Sequence, residues 1–195
     1  MKIDFGPVER GEMTMLEFSV RFSKDDLAAA SDASIDFMLH LLDDLDDADV
    51  TFDPIDEHAH DPFAKPGEEN IGWSLAHLIA HVTASTEEGA AFSSILARGY
   101  PLEERPRYET PWRDIRTKAQ CVQRLEESRR MRRGYLMTWP DVPFLDVYRK
   151  ASERFEARFG KLNATASFLF GLWHETQHYE QMQEVKRQAL AARAG

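Results

Sequence analysis

Apolar residues recur at three- and four-residue spacing along four long stretches of this chain, and proline or glycine interrupts the pattern between them. Such a pattern buries one stripe per segment, which suits helices packed side by side rather than a sheet. The first stretch opens at Ser23, a good N-cap followed by Asp25 and Asp26, and carries Leu27, Ile35, Met38, Leu39, Leu42 and Leu45. It is expected to run to about residue 47, with the acidic run 43–49 as a fraying, solvated end. The second spans about 72–98, with Trp73, Leu75, Leu78, Ile79, Val82, Phe92, Ile95 and Leu96 as its stripe, and Gly99 and Pro101 end it. Trp112, Ile115, Val122, Leu125, Met131 and Leu136 mark a third that ends before Pro140. Asn163 caps a last helix that runs through about residue 192.

Two segments lack this regularity. Between residues 50 and 70, Pro54, Pro62, Pro66 and Gly67 leave a long loop of the kind that often borders a site. Leu145, Tyr148, Phe155 and Phe159 share one side of a shorter amphipathic segment closing at Gly160, read either as an added short helix before the last one or as a cover across the bundle. The fold expected is an all-α four-helix bundle in one domain spanning residues 1–195, with 1–22 as an N-terminal extension.

Charge and cysteine usage narrow the function. With 34 acidic against 24 basic residues, the formal charge of −10 opposes the counterion-release binding on which nucleic-acid recognition depends. One cysteine, Cys121, cannot form an internal disulfide and has no paired thiolate partner nearby. The N-terminus carries Lys2, Asp4, Glu9, Arg10 and Glu12 without an apolar core, so it does not read as a signal peptide. The most apolar stretch, 164–173, is about half the roughly 20 residues a bilayer span requires. A cytoplasmic protein with no membrane and no nucleic-acid partner is expected.

Histidine placement carries the chemistry. His174 and His178 lie four apart on the last helix, so both imidazoles reach one side of it and can converge on a divalent ion. His77 and His81 repeat the spacing on the second helix. Facing helices of a bundle build metal sites from inward side chains, and two such pairs can supply three ligands with coordination positions left open. A lone pair of this kind more often marks a hydrogen-bonded core group; two pairs on different helices favour the metal reading. His40 is isolated on the first helix, and His58 and His60 fall in the loop, so none of these is taken as a ligand.

The segment His174-Glu175-Thr176-Gln177-His178 also spells the metalloprotease pattern H-E-x-x-H. Gln181 and Glu184 stand where the metzincin extension needs Gly and His, only 17 residues follow His178, and no strand is predicted to hold a peptide. Proteolysis is set aside. Glu175 and Glu180 are candidates for orienting an imidazole or accepting a proton, but each reads first as part of a solvated helix face. Trp73 and Trp173 read first as core, and Arg105, Arg107 and Arg113 as surface arginines, although each set can line a site.

The run Gly72-Trp73-Ser74-Leu75-Ala76-His77-Leu78-Ile79-Ala80-His81, with His174-Glu175-Thr176-Gln177-His178-Tyr179-Glu180-Gln181 at the far end, resembles the DinB/YfiT superfamily. The likeness covers most of the chain from about Asp25. It implies a four-helix bundle in which a histidine two turns after the helix-opening tryptophan joins an H-x-x-x-H pair, that is, His81, His174 and His178. The related N-terminal domain of ergothioneine-pathway sulfoxide synthases places its ligand four residues after the tryptophan, which makes His77 the alternative. The acidic pair Glu87 and Glu88 matches the commoner family spacing and favours His81.

The resemblance implies a metal-dependent enzyme, foremost a thiol-dependent transferase acting on a small molecule with a low-molecular-weight thiol, because characterised members are mostly thiol-dependent transferases or isomerases. A noncatalytic metal-binding or dimerisation module and a hydrolase using metal-bound water are the alternatives, since fold alone does not set function. Bundles commonly pair through exposed helix faces, so a homodimer is expected. Three imidazoles suit Zn, Ni and Fe alike.

Overall fold

In the computed structural model, which describes residues 1–57, 59–61 and 66–195, every regular element is helical. In chain order these are α1 (Gly6–Glu9), α2 (Met15–Ser19), α3 (Lys24–Leu41), α4 (Asp47–Val50), α5 (Leu75–Ala97), α6 (Lys118–Met137), α7 (Glu153–Phe159), α8 (Ala164–Thr176) and α9 (Tyr179–Ala194), with a 3₁₀ turn at Trp112–Asp114 before α6. Side-chain caps start the long ones. Ser23 accepts from the Asp26 amide, Ser74 from His77, Thr117 from Gln120 and Asn163 from Ala166, each satisfying an amide that the first turn leaves unpaired.

Several boundaries differ from the sequence expectation. α3 stops at Leu41, six residues short of the expected end, because carboxylates at 43–47 would sit against the negative end of its dipole. The same acids then open α4, where Asp46 accepts from the Ala48 and Asp49 amides. The last helix is two helices: the bonding tightens at His178, whose amide donates to Glu175 O at 3.1 Å, and its φ of −100° and ψ of −2° leave helical geometry. The N-terminal extension, residues 1–22, carries α1 and α2, and its Phe5, Val8, Met15 and Phe18 are part of the buried core. The short segment before the last helix is helical only from Glu153 to Phe159, closing at Gly160 with φ of 74°.

Register between neighbours sets the topology. Asp36 and Asp32 of α3 pair with Arg129 and Arg133 of α6, so these two run antiparallel. Glu87 with Arg124 and Ser94 with Thr138 make α5 and α6 parallel. Thr86 lies against Gly171 and Glu175, and Gly89 against Ser167, so α5 and α8 are antiparallel. The bundle is thus a ring of α3, α6, α5 and α8. Parallel neighbours cannot be joined by a tight turn, so the chain from 98 to 117 must travel back along the bundle before α6 begins. That return carries Arg105, Arg107, Glu109 and Trp112 past the middle of α5.

The core is in two parts. One holds Leu27 and Ala30 of α3, Phe92 and Leu96 of α5, Leu136 of α6 and Phe168 and Leu172 of α8; the other holds Ile35 and Met38, Leu75 to Val82, Leu125, Met182 and Val185. Between them each helix contributes polar side chains: Ser31 and Ser34, Thr83 and Thr86, Ser128 and Arg132, then Glu175. Arg132 and Glu175 are fully buried and paired at 2.6 Å, with Ser34 accepting from Arg132 at 3.2 Å and Thr86 and Tyr179 hydroxyls within 3.0 and 3.3 Å of the Glu175 oxygens. The charges thereby replace solvent with one another and with hydroxyls.

Glycine lets α5 and α8 approach at this level. A Cβ on Gly171 would stand 2.9 Å from the Thr86 Cα, and one on Gly89 would stand 2.7 Å from the Ser167 carbonyl. Gly171→Ala is expected to destabilise the fold by about 1–3 kcal/mol from overpacking, outweighing the roughly 1 kcal/mol helix-propensity gain. Urea denaturation checks this, and an unchanged or raised midpoint would show that the two backbones have room to spare.

Candidate metal centre

His81 projects from the second turn of α5, His174 from the last turn of α8 and His178 from the break before α9. Their ring centroids form a near-equilateral triangle: 5.1 Å between His81 and His174, 5.2 Å between His81 and His178, and 5.0 Å between His174 and His178. One nitrogen from each lies within 4.8 Å of the other two. A metal–nitrogen bond of about 2.0–2.1 Å puts each ring centroid roughly 3.2 Å from an ion, and tetrahedral angles then separate centroids by about 5.2 Å. The spacing in this chain fits that arrangement. The break at Gln177 and His178 contributes by turning the second imidazole away from the line of α8.

Protonation and hydrogen bonding also fit ligand duty. Burial is the main force pushing the His174 pKa down to about 3 and that of His178 below its ordinary value, so both rings are held neutral with a lone pair available. His178 Nδ1 donates to Gln181 Oε1 at 3.0 Å, leaving the Nε2 lone pair free. His174 Nδ1 is buried without a hydrogen-bond partner, the condition of an atom whose partner is a ligand. Glu109 Oε2 lies 3.7 Å from His81 Nδ1. Burial alone would raise the Glu109 pKa, but the neighbouring His81 ring and the hydrogen bond from Arg107 hold it at about 2, so it stays an ionised acceptor.

His77 occupies a different setting. It is stacked between Trp73 at 4.4 Å and Trp112 at 4.5 Å, the latter nearly parallel at 9°, and stands outside the three-histidine group. Burial pushes its pKa down to about 4. The unfolded chain therefore takes up a proton near 6.5 while the folded chain resists until about 4, so this contribution to stability is full above 6.5 and lost as pH falls through the window. In metal-free protein, His77→Phe is expected to flatten the fall of unfolding free energy between those values. Chemical denaturation at a series of pH values measures the slope, and an unaltered slope would place the acid sensitivity elsewhere.

The remaining candidates separate clearly. His40 is exposed and paired with Asp43, and His60 is exposed near Asn70; His58 lies outside the described residues. Glu175, read from sequence as solvated, is instead buried in the Arg132 pair, facing the bundle interior rather than the histidines. Glu180 is exposed as expected. Trp73 stacks on His77 and lies 4.7 Å from His81, so it belongs to the site, whereas Trp173 packs with Phe159 and Phe170 in the core. Cys121 is buried, and desolvation lifts its thiol to about 12, which keeps it unreactive.

A cavity of about 510 Å³ opens beside His81 and His174, bordered by Ser85, Glu88, Arg107, Glu109 and Phe170. Arg105 and Arg107, set aside in the sequence, face it. Glu109, Trp112 and Arg149 were not singled out for the site by sequence reasoning; Glu109 and Trp112 arrive on the return between parallel helices, and no local spacing marks them. Gln181 did carry a signal, since three residues after His178 is a helix-neighbour spacing.

A family model of the DinB superfamily matches residues 15–182. The chain belongs to the DinB superfamily. Its three-histidine cluster and helical bundle are compatible with a metal-binding DinB protein. No curated protein and no solved structure matches the chain. No helix among the described residues of this DinB protein is long and apolar enough to cross a membrane.

Proposed function

We propose that this DinB protein holds a divalent ion, Zn, Ni or Fe, on His81, His174 and His178 and transfers a low-molecular-weight thiol to a small electrophile in the cytoplasm. The observation that carries the reading is the equal spacing of three half-buried imidazoles, two of which line a cavity large enough for a small molecule. Bound there, the ion would supply Lewis acidity that lowers the pKa of a thiol or water entering its open position.

The chain's own groups prepare that position. Gln181 fixes the His178 ring through Nδ1, and Glu109, clamped by Arg107, faces His81. Arg107 is itself held by Ser85 at 2.7 Å, so this polar arm reaches the site from the return segment without depending on solvent. Trp73 covers His77, His81 and one face of His178, shielding that side from water. Fully buried Glu175 cannot take a proton from a substrate in the cavity, which argues against the zincin role of an H-E-x-x-H glutamate.

Turnover with a panel of low-molecular-weight thiols and electrophiles, comparing the wild type with His178→Ala, tests the reading. Metal-dependent thiol consumption in the wild type, lost in the variant, is expected. Absence of metal-dependent turnover across a broad panel would sink the transferase assignment.

A further inference from the structure

Three arginines face the cavity beside the histidines, and two are already committed. Arg105 makes a bidentate pair with Glu88, through Nε at 2.7 Å and Nη2 at 2.8 Å. Arg107 donates to Ser85 and Glu109 and lies 3.6 Å from Glu88. Arg149 is different. Its Nε is buried without a hydrogen-bond partner, and among the described residues its side chain enters no ion pair. The guanidinium carbon instead lies 4.4 Å from the Phe92 ring centroid and 5.5 Å from that of Phe155.

Arg149 is also fixed in place. Its amide donates to Leu162 O at 2.9 Å, and Asn163 Nδ2 donates to Leu145 O at 3.0 Å, which ties the segment before α7 to the start of α8. A guanidinium does not give up its proton in a protein, so it must carry its charge into this desolvated wall. Burial accordingly pulls its pKa down, and the Glu88 charge, already committed to Arg105, together with aromatic stacking recovers only part of the lost hydration. A charged fork on an anchored segment, stacked on aromatic rings, without an ion-pair partner and open to a cavity, is suited to receive an anion.

We propose that Arg149 binds the carboxylate of a small organic substrate in this cavity, holding it so that its other end reaches the histidine cluster. Whether the thiol or its acceptor carries the carboxylate, the recognition is the same. A planar carboxylate matches the two parallel donors of one guanidinium. A phosphate dianion would bring a second negative charge next to Glu88 and Glu109 with no further unpaired arginine to meet it. Phe170, Gly89 and Gly171 give the cavity an apolar wall for a short carbon skeleton. The placement of the reacting end rests on the metal reading above, whereas the carboxylate site does not.

Succinate, its neutral diamide and inorganic phosphate serve as probes, titrated calorimetrically into the purified metal-loaded protein and into Arg149→Gln, Arg149→Lys and His178→Ala. Succinate is expected to bind the wild type, to bind Arg149→Gln about 10–100-fold more weakly, and to bind Arg149→Lys with an intermediate loss. Metal content and melting temperature should match in wild type and Arg149→Lys, which keeps the comparison sound if Arg149→Gln folds poorly. Weakened but Arg149-dependent binding should persist in His178→Ala, so failure of the metal reading would leave this result standing. Equal succinate affinity in wild type and both Arg149 variants would overturn the proposal, as would loss of binding in His178→Ala alone, which would assign the carboxylate to the metal. Diamide or phosphate binding as tight as succinate would overturn it too.

Discussion

Glu175→Leu is expected to lower the unfolding free energy by about 3–5 kcal/mol, because it strands the Arg132 guanidinium, fully buried, without its counter-charge. Ser34 remains at 3.2 Å and cannot neutralise it. Arg132→Met should cost a similar amount by stranding the carboxylate, although Thr86 and Tyr179 still offer hydroxyls to Glu175. The double variant should recover most of the loss, since removing both charges removes both desolvation penalties. Urea denaturation of the four proteins measures the cycle. A double variant no more stable than either single one would show that the pair contributes through packing rather than charge. The pair spans α6 and α8 at the level of the metal centre, so the loss should also loosen His174, one residue before Glu175 on α8.

Metal content is expected to respond most to the histidines themselves. Protein purified without added metal should carry about one equivalent, falling to trace in His174→Ala and His178→Ala, since two imidazoles leave a weaker and more open site. His81→Ala should behave the same way, while His77→Ala should retain its metal because that ring is stacked between two tryptophans outside the cluster. Gln181→Ala and Glu109→Gln should weaken binding by about 10–100-fold through the orientation of His178 and His81. Elemental analysis across this series decides the third ligand: retention in His81→Ala with loss in His77→Ala would reverse the assignment.

The helical frame and the pairing of His174 with His178 were legible in the order of residues. Ser23 and Asn163 announce helix starts by their own hydrogen-bonding chemistry, and the i, i+4 spacing of His174 and His178 is a statement about one helix. Their convergence with an α5 histidine is not local, and the choice between His77 and His81 came from resemblance alone. The two lie one turn apart, and which of them meets His174 and His178 depends on how far α5 is shifted along α8. That register is set where Gly89 and Gly171 bring the two backbones together.

Glu175 marks the limit of sequence reading from the other side. Acids on helices are usually solvated, and only the arrival of Arg132 from α6 makes burial tolerable, so nothing in its neighbours announces the pair. The same holds for Arg149, whose vacancy consists of the absence of a carboxylate that could have come from any element. Periodicity, caps and histidine spacing are short-range properties, carried by the residues within a turn or two of one another. The order of α3, α6, α5 and α8 around the ring, the return segment that brings Glu109 and Arg107 to His81, and the matching of buried charges depend on contacts between distant parts of the chain. Those contacts become definite only when the helices pack, because the low dielectric and close approach that set their energies exist only in the assembled bundle.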